Sequence, residues 1–508
     1  MKRFVLLVVC FALLSPCAAA AKDFFLTIGG GYSPSGNQAS LEKNVLLFQR
    51  VLREQNLDHL SCDVFFSDGD AAGHDLQVID RQSIPTANRL MAEFFGSNRD
   101  LGLSYRNHQV PGVRGAANPE NIRNWFDQVG STMQADDRLV LYVTAHGNRS
   151  DDRQNPYDTT IATWNHTSIK MRELVGMLDR LPEGVEVVAI MVQCHAGGFA
   201  RFVFKDGDPD QGLASQRRTG FFATVHDRPA AGCTPDVDEA SYVEYSTFFW
   251  AALAGYDRSG QVIELPDYNG DGVVSFDEAH AYTILTADTI DLPVKTSGEF
   301  LSVHSKFGDD DSDLLTNDEP YDVVLNLSTP AQKAILEGLS LQLGLAGPDR
   351  LVDAWKETQP RRDQGAAQGR GRSRGRRPET PSVQLRRRIA NDLKKQWPEL
   401  ANVLNPVAIE LLTTRSERFI DTIEGHPEYA RYRELLDESE ATPDLQKRKV
   451  KFERFLRAAD NVLLAENLRR MNDAEKIAQY EAIVLAESSS LEVSGKKAGA
   501  GSPRQSAD

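Results

Sequence analysis

Two apolar runs, residues 139–143 and 185–192, the second broken only by Glu186, constrain this chain more than any other feature. Each is short and rich in β-branched residues, the pattern of a strand buried on both faces, and such strands belong to parallel sheets covered by helices. The first run leads into Ala145-His146-Gly147-Asn148 and the second into Gln193-Cys194-His195-Ala196-Gly197-Gly198. Parallel strands finish on one edge of their sheet, and open α/β folds assemble sites in the crevice outside that edge. His146 and Cys194 are therefore expected as spatial neighbours. The thiolate is the reactive form of cysteine, and a nearby imidazole can generate it.

Between residues 23 and 255 strands and helices alternate. Residues 24–28 read as a strand, and a helix over 40–53 carries Leu41, Val45, Phe48 and Leu52 at helical spacing. Residues 62–66 form the next strand. Asn118 is the N-cap of a helix with Pro119 at its first position, running through Ile122, Trp125, Phe126 and Val129. Thr167 is expected to cap a helix over 169–181, and a strand at 221–225 and a helix over 239–253 complete the series. The alternation predicts an α/β fold, a three-layer sandwich with a mainly parallel sheet over 22–258, followed by an all-α C-terminal domain at 383–487. The Gly29-Gly30-Gly31 turn fails as a dinucleotide fingerprint because Pro34 stands where its last glycine belongs. No P-loop, zinc-type cysteine pair or serine elbow is present.

His146-Gly147 after one strand, and Gln193-Cys194-His195 with Gly197-Gly198 after a later one, resemble the cysteine peptidases of the caspase, legumain, metacaspase and gingipain clan. The Asn118-Pro119-Glu120-Asn121 helix start and the Asp136-Asp137-Arg138 lead-in are similar to legumains, and the resemblance covers about half the chain, residues 23–255. It implies a caspase-like fold and a cysteine-type endopeptidase acting on polypeptide substrates. Cys194 would attack the carbonyl, and His146 would polarise the thiol or protonate the leaving amine. The N–H groups of Gly147 and Cys194 would stabilise the oxyanion, a contribution of about 3 kcal/mol per donor. His195, adjacent to the nucleophile, is expected to point away. Val192 stands two positions before the cysteine, where legumains and metacaspases carry an acidic residue and caspases Gln, so no side-chain preference of the substrate carries over. Asp236, Asp238 and Glu239 are the alternative acidic cluster, either a pocket or a solvated loop. A transpeptidase using the same dyad and an inactive calcium-binding scaffold are the competing readings.

The segment Asp267-Tyr268-Asn269-Gly270-Asp271-Gly272-Val273-Val274-Ser275-Phe276-Asp277-Glu278 matches the EF-hand calcium loop throughout. Asp267, Asn269 and Asp271 offer side-chain oxygens, Gly272 makes the sharp turn, Val273 offers its carbonyl, Ser275 its hydroxyl, and Glu278 is the bidentate ligand. Pro266 argues against an entering helix, and 276–285 forms the exiting one. One structural Ca²⁺ is the expectation.

A net charge of −16 over 508 residues excludes non-specific nucleic-acid binding by the whole molecule. Residues 1–21 form a signal peptide: Lys2 and Arg3, an apolar stretch over 4–14, then small residues at 18–21. The protein is expected to be exported, secreted or periplasmic; Pro16 before Cys17 argues against lipoprotein anchoring. No later stretch reaches transmembrane length. Removing the signal leaves Cys62, Cys194 and Cys233, either with a Cys62–Cys233 bridge or as three free thiols. Residues 259–358 carry the calcium loop and further helices, 359–382 form an Arg/Gly/Pro-rich linker expected to be disordered, and 488–508 a disordered tail. Legumains also place a helical region after the peptidase domain, which implies an intramolecular lid formed by 383–487.

Overall fold

The computed structural model describes residues 21–309, 312–359, 379–441 and 444–491. The expected signal peptide, most of the arginine-rich linker and most of the tail lie outside the described residues. The strands are, in chain order, β1 (Asp23–Gly30), β2 (Ser61–Phe66), β3 (Leu76–Ile79), β4 (Leu103–Arg106), β5 (Val113–Gly115), β6 (Arg138–Asn148), β7 (Thr160–Thr163), β8 (Thr167–Lys170), β9 (Glu186–Met191), β10 (Arg217–Phe222) and β11 (Val294–Lys295). The helices of the first half are α1 (Ala39–Glu54), α2 (Thr86–Phe95), α3 (Pro119–Gln128), α4 (Met171–Leu178) and α5 (Tyr245–Ala254). They are followed by α6 (Phe276–Thr286), α7 (Thr296–His304), α8 (Tyr321–Leu327), α9 (Pro330–Leu343) and α10 (Arg350–Thr358). The last group is α11 (Pro381–Gln396), α12 (Pro406–Leu412), α13 (Ser416–Glu424), α14 (Tyr429–Ala441), α15 (Leu445–Arg470) and α16 (Ala474–Glu487).

The main sheet has the order β11-β10-β9-β6-β1-β2-β5. Every pairing from β10 to β5 is parallel, and only the edge strand β11 runs antiparallel. The side-chain period of two divides each central strand between two apolar layers. Leu139, Leu141 and Val143 of β6, with Val187, Ala189 and Met191 of β9, pack against Trp125 and Phe126 of α3 and Leu174 and Leu178 of α4. Val140, Tyr142, Val188 and Ile190 face the other way, onto Phe48 of α1, Phe249 and Trp250 of α5 and Phe276 of α6. The fold is thus α/β, with a mostly parallel sheet covered on both faces. Each such side chain contributes about 1.5–3 kcal/mol by leaving water, which is why the two apolar runs determine the centre of the sheet.

Several elements differ from expectation. Strand β6 continues through His146, Gly147 and Asn148, because these residues leave the parallel sheet and pair with Ala162, Ile161 and Thr160 of β7. Thr167 does not cap a helix. It opens β8, its Oγ1 donating to the Trp164 carbonyl at 2.7 Å, in a turn where Asn165 and His166 have φ of 62° and 55°. The helix starts only at Met171. The strand expected at 221–225 is Arg217–Phe222, and the helix expected over 239–253 is a short 3₁₀ turn (Glu239–Ser241) followed by α5. Cys62, Cys194 and Cys233 are all free; Cys62 packs against the layer of α1 and α5, whereas Cys233 joins a separate apolar cluster with Val64 and Val78.

Residues 383–487, expected as one helical domain, divide between distant places. Leu385, Ile389 and Leu393 of α11 and Phe419 of α13 pack against Leu90, Met91 and Phe94 of α2. Phe452, Phe455, Ala459 and Leu463 of α15 instead complete a core with Val324 of α8, Leu336 and Leu339 of α9 and Leu351 of α10. Helix α16 sets Tyr480 and Ile483 against Phe300 and Leu301 of α7. The first tail residues are ordered too: the Ser489 carbonyl accepts from Phe276 N at 2.9 Å, and Leu491 is 2% exposed in the sheet's core.

Candidate active site

The chain passes from β1 outward to β2 and β5, then returns to the other side of β1 and proceeds through β6, β9 and β10. The reversal lies between β1 and β6, and the loops beyond the carboxyl ends of such strands diverge to leave a crevice. Both sequence-predicted residues lie at this edge. Val143 of β6 pairs with Met191 of β9, and His146 and Cys194 each stand three residues further on. The first segment is still extended at His146, whereas the second has left its strand and turns at Cys194. Contact between the segments is tight: a Cβ on Gly147 would meet the Cys194 carbonyl oxygen at 2.1 Å.

The loop after β1 fixes the imidazole. His146 Nε2 lies 2.8 Å from the Gly36 carbonyl oxygen and 2.9 Å from Gln38 Oε1. A carbonyl can only accept, so Nε2 carries the proton. Nδ1 is then the basic nitrogen, and it has no hydrogen-bond partner among the described residues. The Tyr32 ring packs edge-on at 5.4 Å. Burial lowers the imidazole's pKa from its ordinary value, the Gly36 bond opposing this in part. Asn37, between the two anchoring residues, is itself braced: its Nδ2 donates to Ser67 Oγ at 3.0 Å and to the Asp75 carbonyl at 3.0 Å.

The loop after β10 holds the thiol. Ala230 N donates to Cys194 Sγ at 3.3 Å, and Sγ lies 3.8 Å from the Ala230 carbonyl. Burial raises the thiol's pKa, the Ala230 bond works in the opposite direction, and the nearby Asp291 charge raises it further. Imidazole and thiol are both neutral near pH 7, and no hydrogen bond joins them. The Cys194 N–H donates to no backbone carbonyl among the described residues, as an oxyanion donor requires. His195 points elsewhere, its Nδ1 2.9 Å from the His226 carbonyl oxygen, and its backbone has φ 62°.

Gly36, Gln38, Ala230 and Asp291 were not legible as site residues. The glycine-rich turn after β1 was the one available signal. The acidic cluster considered as a pocket is already engaged: Asp236 pairs with Arg81 at 2.8 Å, Glu239 with Lys43 at 3.0 Å, and Asp238 caps the 3₁₀ turn. Asp291, 1% exposed, is a buried acid close to Cys194, and its carboxyl is pushed up to about 6 by burial.

The segment from Asp267 to Glu278 folds around its own acids. Asp267 accepts from the N–H groups of Gly270, Asp271 and Gly272, and Asn269 Oδ1 and Asp271 Oδ1 accept from Asp271 N and Val273 N. Gly272 has φ 88°, the left-handed geometry expected for the turn. Glu278, 2% exposed, accepts from Tyr268 N, Asn269 N and Ser275 N, closing the loop onto the start of α6. Its oxygen-only donor set suits a hard cation, although the carboxylates of Asp267, Asp271 and Glu278 are not gathered within 4.8 Å of one another. The group that does meet that distance among the described residues is Asp68, Asp75 and His108. There Asp68 is raised to about 6, chiefly by burial and by Asp75. Through Asn37 this group braces the loop that anchors His146.

No protein-family model matches the chain, and no curated protein matches it. Among solved structures, the chain is similar to protein GSU0716 from Geobacter sulfurreducens, at 10% identity over 51% of this chain and 88% of that one, with a TM-score of 0.27. A likeness that weak carries no argument about fold or function.

Proposed function

We propose that the chain is an exported cysteine endopeptidase of caspase-like fold, with Cys194 as nucleophile and His146 as proton carrier. The observation that supports it best is the anchoring of His146 through Nε2, which leaves Nδ1 unpartnered, while the adjoining Gly147 packs directly against the backbone of Cys194. A peptide carbonyl entering the crevice is attacked by Cys194 Sγ as the thiol proton passes to His146 Nδ1. The same proton then goes to the leaving amine as the C–N bond breaks. Water, deprotonated by Nδ1, cleaves the thioester and restores the thiol. The N–H groups of Gly147 and Cys194 are the oxyanion donors in this reading. The loop from Asp267 to Glu278, with Asn269, Asp271, Val273 and Ser275, would hold one Ca²⁺ as a structural brace at the start of α6.

The test is turnover of a mixed peptide library by the wild type, Cys194→Ala and His146→Ala. Cys194→Ala should lose all hydrolysis and His146→Ala most of it. Unchanged hydrolysis by Cys194→Ala would remove the mechanism. A folded, calcium-loaded wild type that cleaves nothing would favour the scaffold reading.

A further inference from the structure

The segment 228–231 that touches Cys194 belongs to no helix or strand, so its geometry must be set from outside. It contacts the nucleophile's stretch twice: the Arg228 carbonyl accepts from His195 N at 2.9 Å, and Ala230 N donates to Cys194 Sγ at 3.3 Å. Two consecutive residues of α15 bear on it, Glu453 directly and Arg454 through Asp291. Arg228 Nη1 donates to the Glu453 carboxylate, a contact between residues 225 apart in the chain. Arg454, 3% exposed, donates to the carbonyls of Asp291 (2.8 Å), Ile284 (3.0 Å), Ala287 (2.6 Å) and Thr289 (3.3 Å) and to Thr289 Oγ1 (2.9 Å). Those bonds fix Asp291, whose Oδ1 accepts from Ala231 N at 2.5 Å.

We infer that helix α15 is a clamp for the nucleophile. Glu453 and Arg454 are positioning residues that grip the loop at Arg228 and, through Asp291, at Ala231, and so hold the Cys194 thiol for attack. The inference rests on Cys194 being the nucleophile. It assigns α15 a role opposite to that of a lid, since removing the helix should impair turnover rather than release it. Loosening the loop admits water to a thiol whose ionisation is held back first by burial and also by Asp291; losing the Ala230 N–H bond works the other way, but burial is the larger cause. Cys233, further along the same loop, is held neutral first by burial, then by Glu244 and to a smaller extent by Cys194. The thiol therefore becomes easier to ionise but worse placed, so chemical reactivity and turnover move in opposite directions.

The experiment uses the full chain and the variants Glu453→Gln, Arg454→Lys and Arg454→Met. Alkylation of each cysteine by iodoacetamide is followed across pH by peptide mass, alongside kcat and KM for a cleaved peptide. In Glu453→Gln and Arg454→Met the Cys194 midpoint should fall by about half a pKa unit, raising its alkylation near pH 7 about threefold, while kcat falls and KM changes little. Arg454→Lys, which keeps the charge but donates from a single nitrogen, should lie between them and the wild type. Cys62 should react as in the wild type throughout. Wild-type alkylation and kcat in both Glu453→Gln and Arg454→Met would overturn the clamp, and so would an equal rise at all three cysteines, which signals general loosening. Alkylation needs no turnover, so an inert wild type would refute the peptidase and still leave the clamp decided.

Discussion

Gly147→Ala tests the contact between the two strand ends directly. A Cβ there would stand 2.1 Å from the Cys194 carbonyl oxygen, 2.7 Å from Gln193 Cγ and 3.0 Å from the Thr160 carbonyl oxygen. Carbon and oxygen approach favourably to about 3.3 Å, so the segments must separate by about 1 Å. The obstacles include backbone on both sides, which cannot rotate away. Overpacking of this kind costs about 1–3 kcal/mol of stability, within what a domain of about 5–15 kcal/mol tolerates. A displacement of about 1 Å between catalytic groups lowers rate by about 100-fold, or about 2.7 kcal/mol of barrier. The measurements are kcat on a cleaved peptide and the melting temperature. Gly176→Ala is the control, because that helical glycine has nothing within 4 Å of its would-be Cβ and should gain up to about 1 kcal/mol. A folded Gly147→Ala protein with wild-type kcat would refute the packing of His146-Gly147 against Cys194.

Three further outcomes are expected. The working form has a neutral imidazole and a neutral thiol, and burial lowers His146 from 6.5 and raises Cys194 from 9.0. Activity should therefore hold between those values, falling on the acid side only below pH 6.5 and on the alkaline side only above pH 9.0; an acid limb above 6.5 contradicts the assignment. Calcium at one hundred times its Kd should stabilise the fold by about 2.7 kcal/mol, read as a higher melting temperature that chelation or Glu278→Gln reduces; calorimetry without heat of binding would leave the segment a plain turn. Trypsin should cut first in the arginine-rich stretch from Arg361 to Arg377, yet the two pieces should co-elute on gel filtration, since α15 and α16 sit in cores shared with α7 to α10. Separation of the pieces without denaturant would show that those cores are weak.

The centre of the fold was legible because β6 and β9 must be apolar on both faces, and nothing but a covered parallel sheet accommodates that. Asn118 was legible as a cap for a local reason, its Oδ1 accepting from Asn121 N at 2.8 Å. Thr167 misled for an equally local one. A threonine before an apolar stretch also suits a strand, and the pairing of β8 with β7 decided the matter through residues elsewhere in the chain. That His146 and Cys194 follow neighbouring strands was readable, but not the close approach of Gly147 to Cys194, which depends on register. Their supports were harder still, since Gly36 and Ala230 act through backbone atoms that leave no trace in residue type. The amphipathic faces of α11 to α16 announced that something covers them. They could not say that α2 covers one part and α7 to α10 another.

Arg138 sets a timetable for the chain's birth. Its Nε and Nη2 grip Asp23 at 2.9 and 3.0 Å at the start of β1, while Nη1 reaches the Ser490 carbonyl at 2.7 Å, 352 residues later. A ribosome adding about 5–20 residues per second delivers that last acceptor roughly 20–70 seconds after the arginine itself. Leu491, with its place in the core against the sheet, arrives at the same moment. Until then the contacts that Ser490 and Leu491 make at the foot of the sheet are missing from the nascent chain.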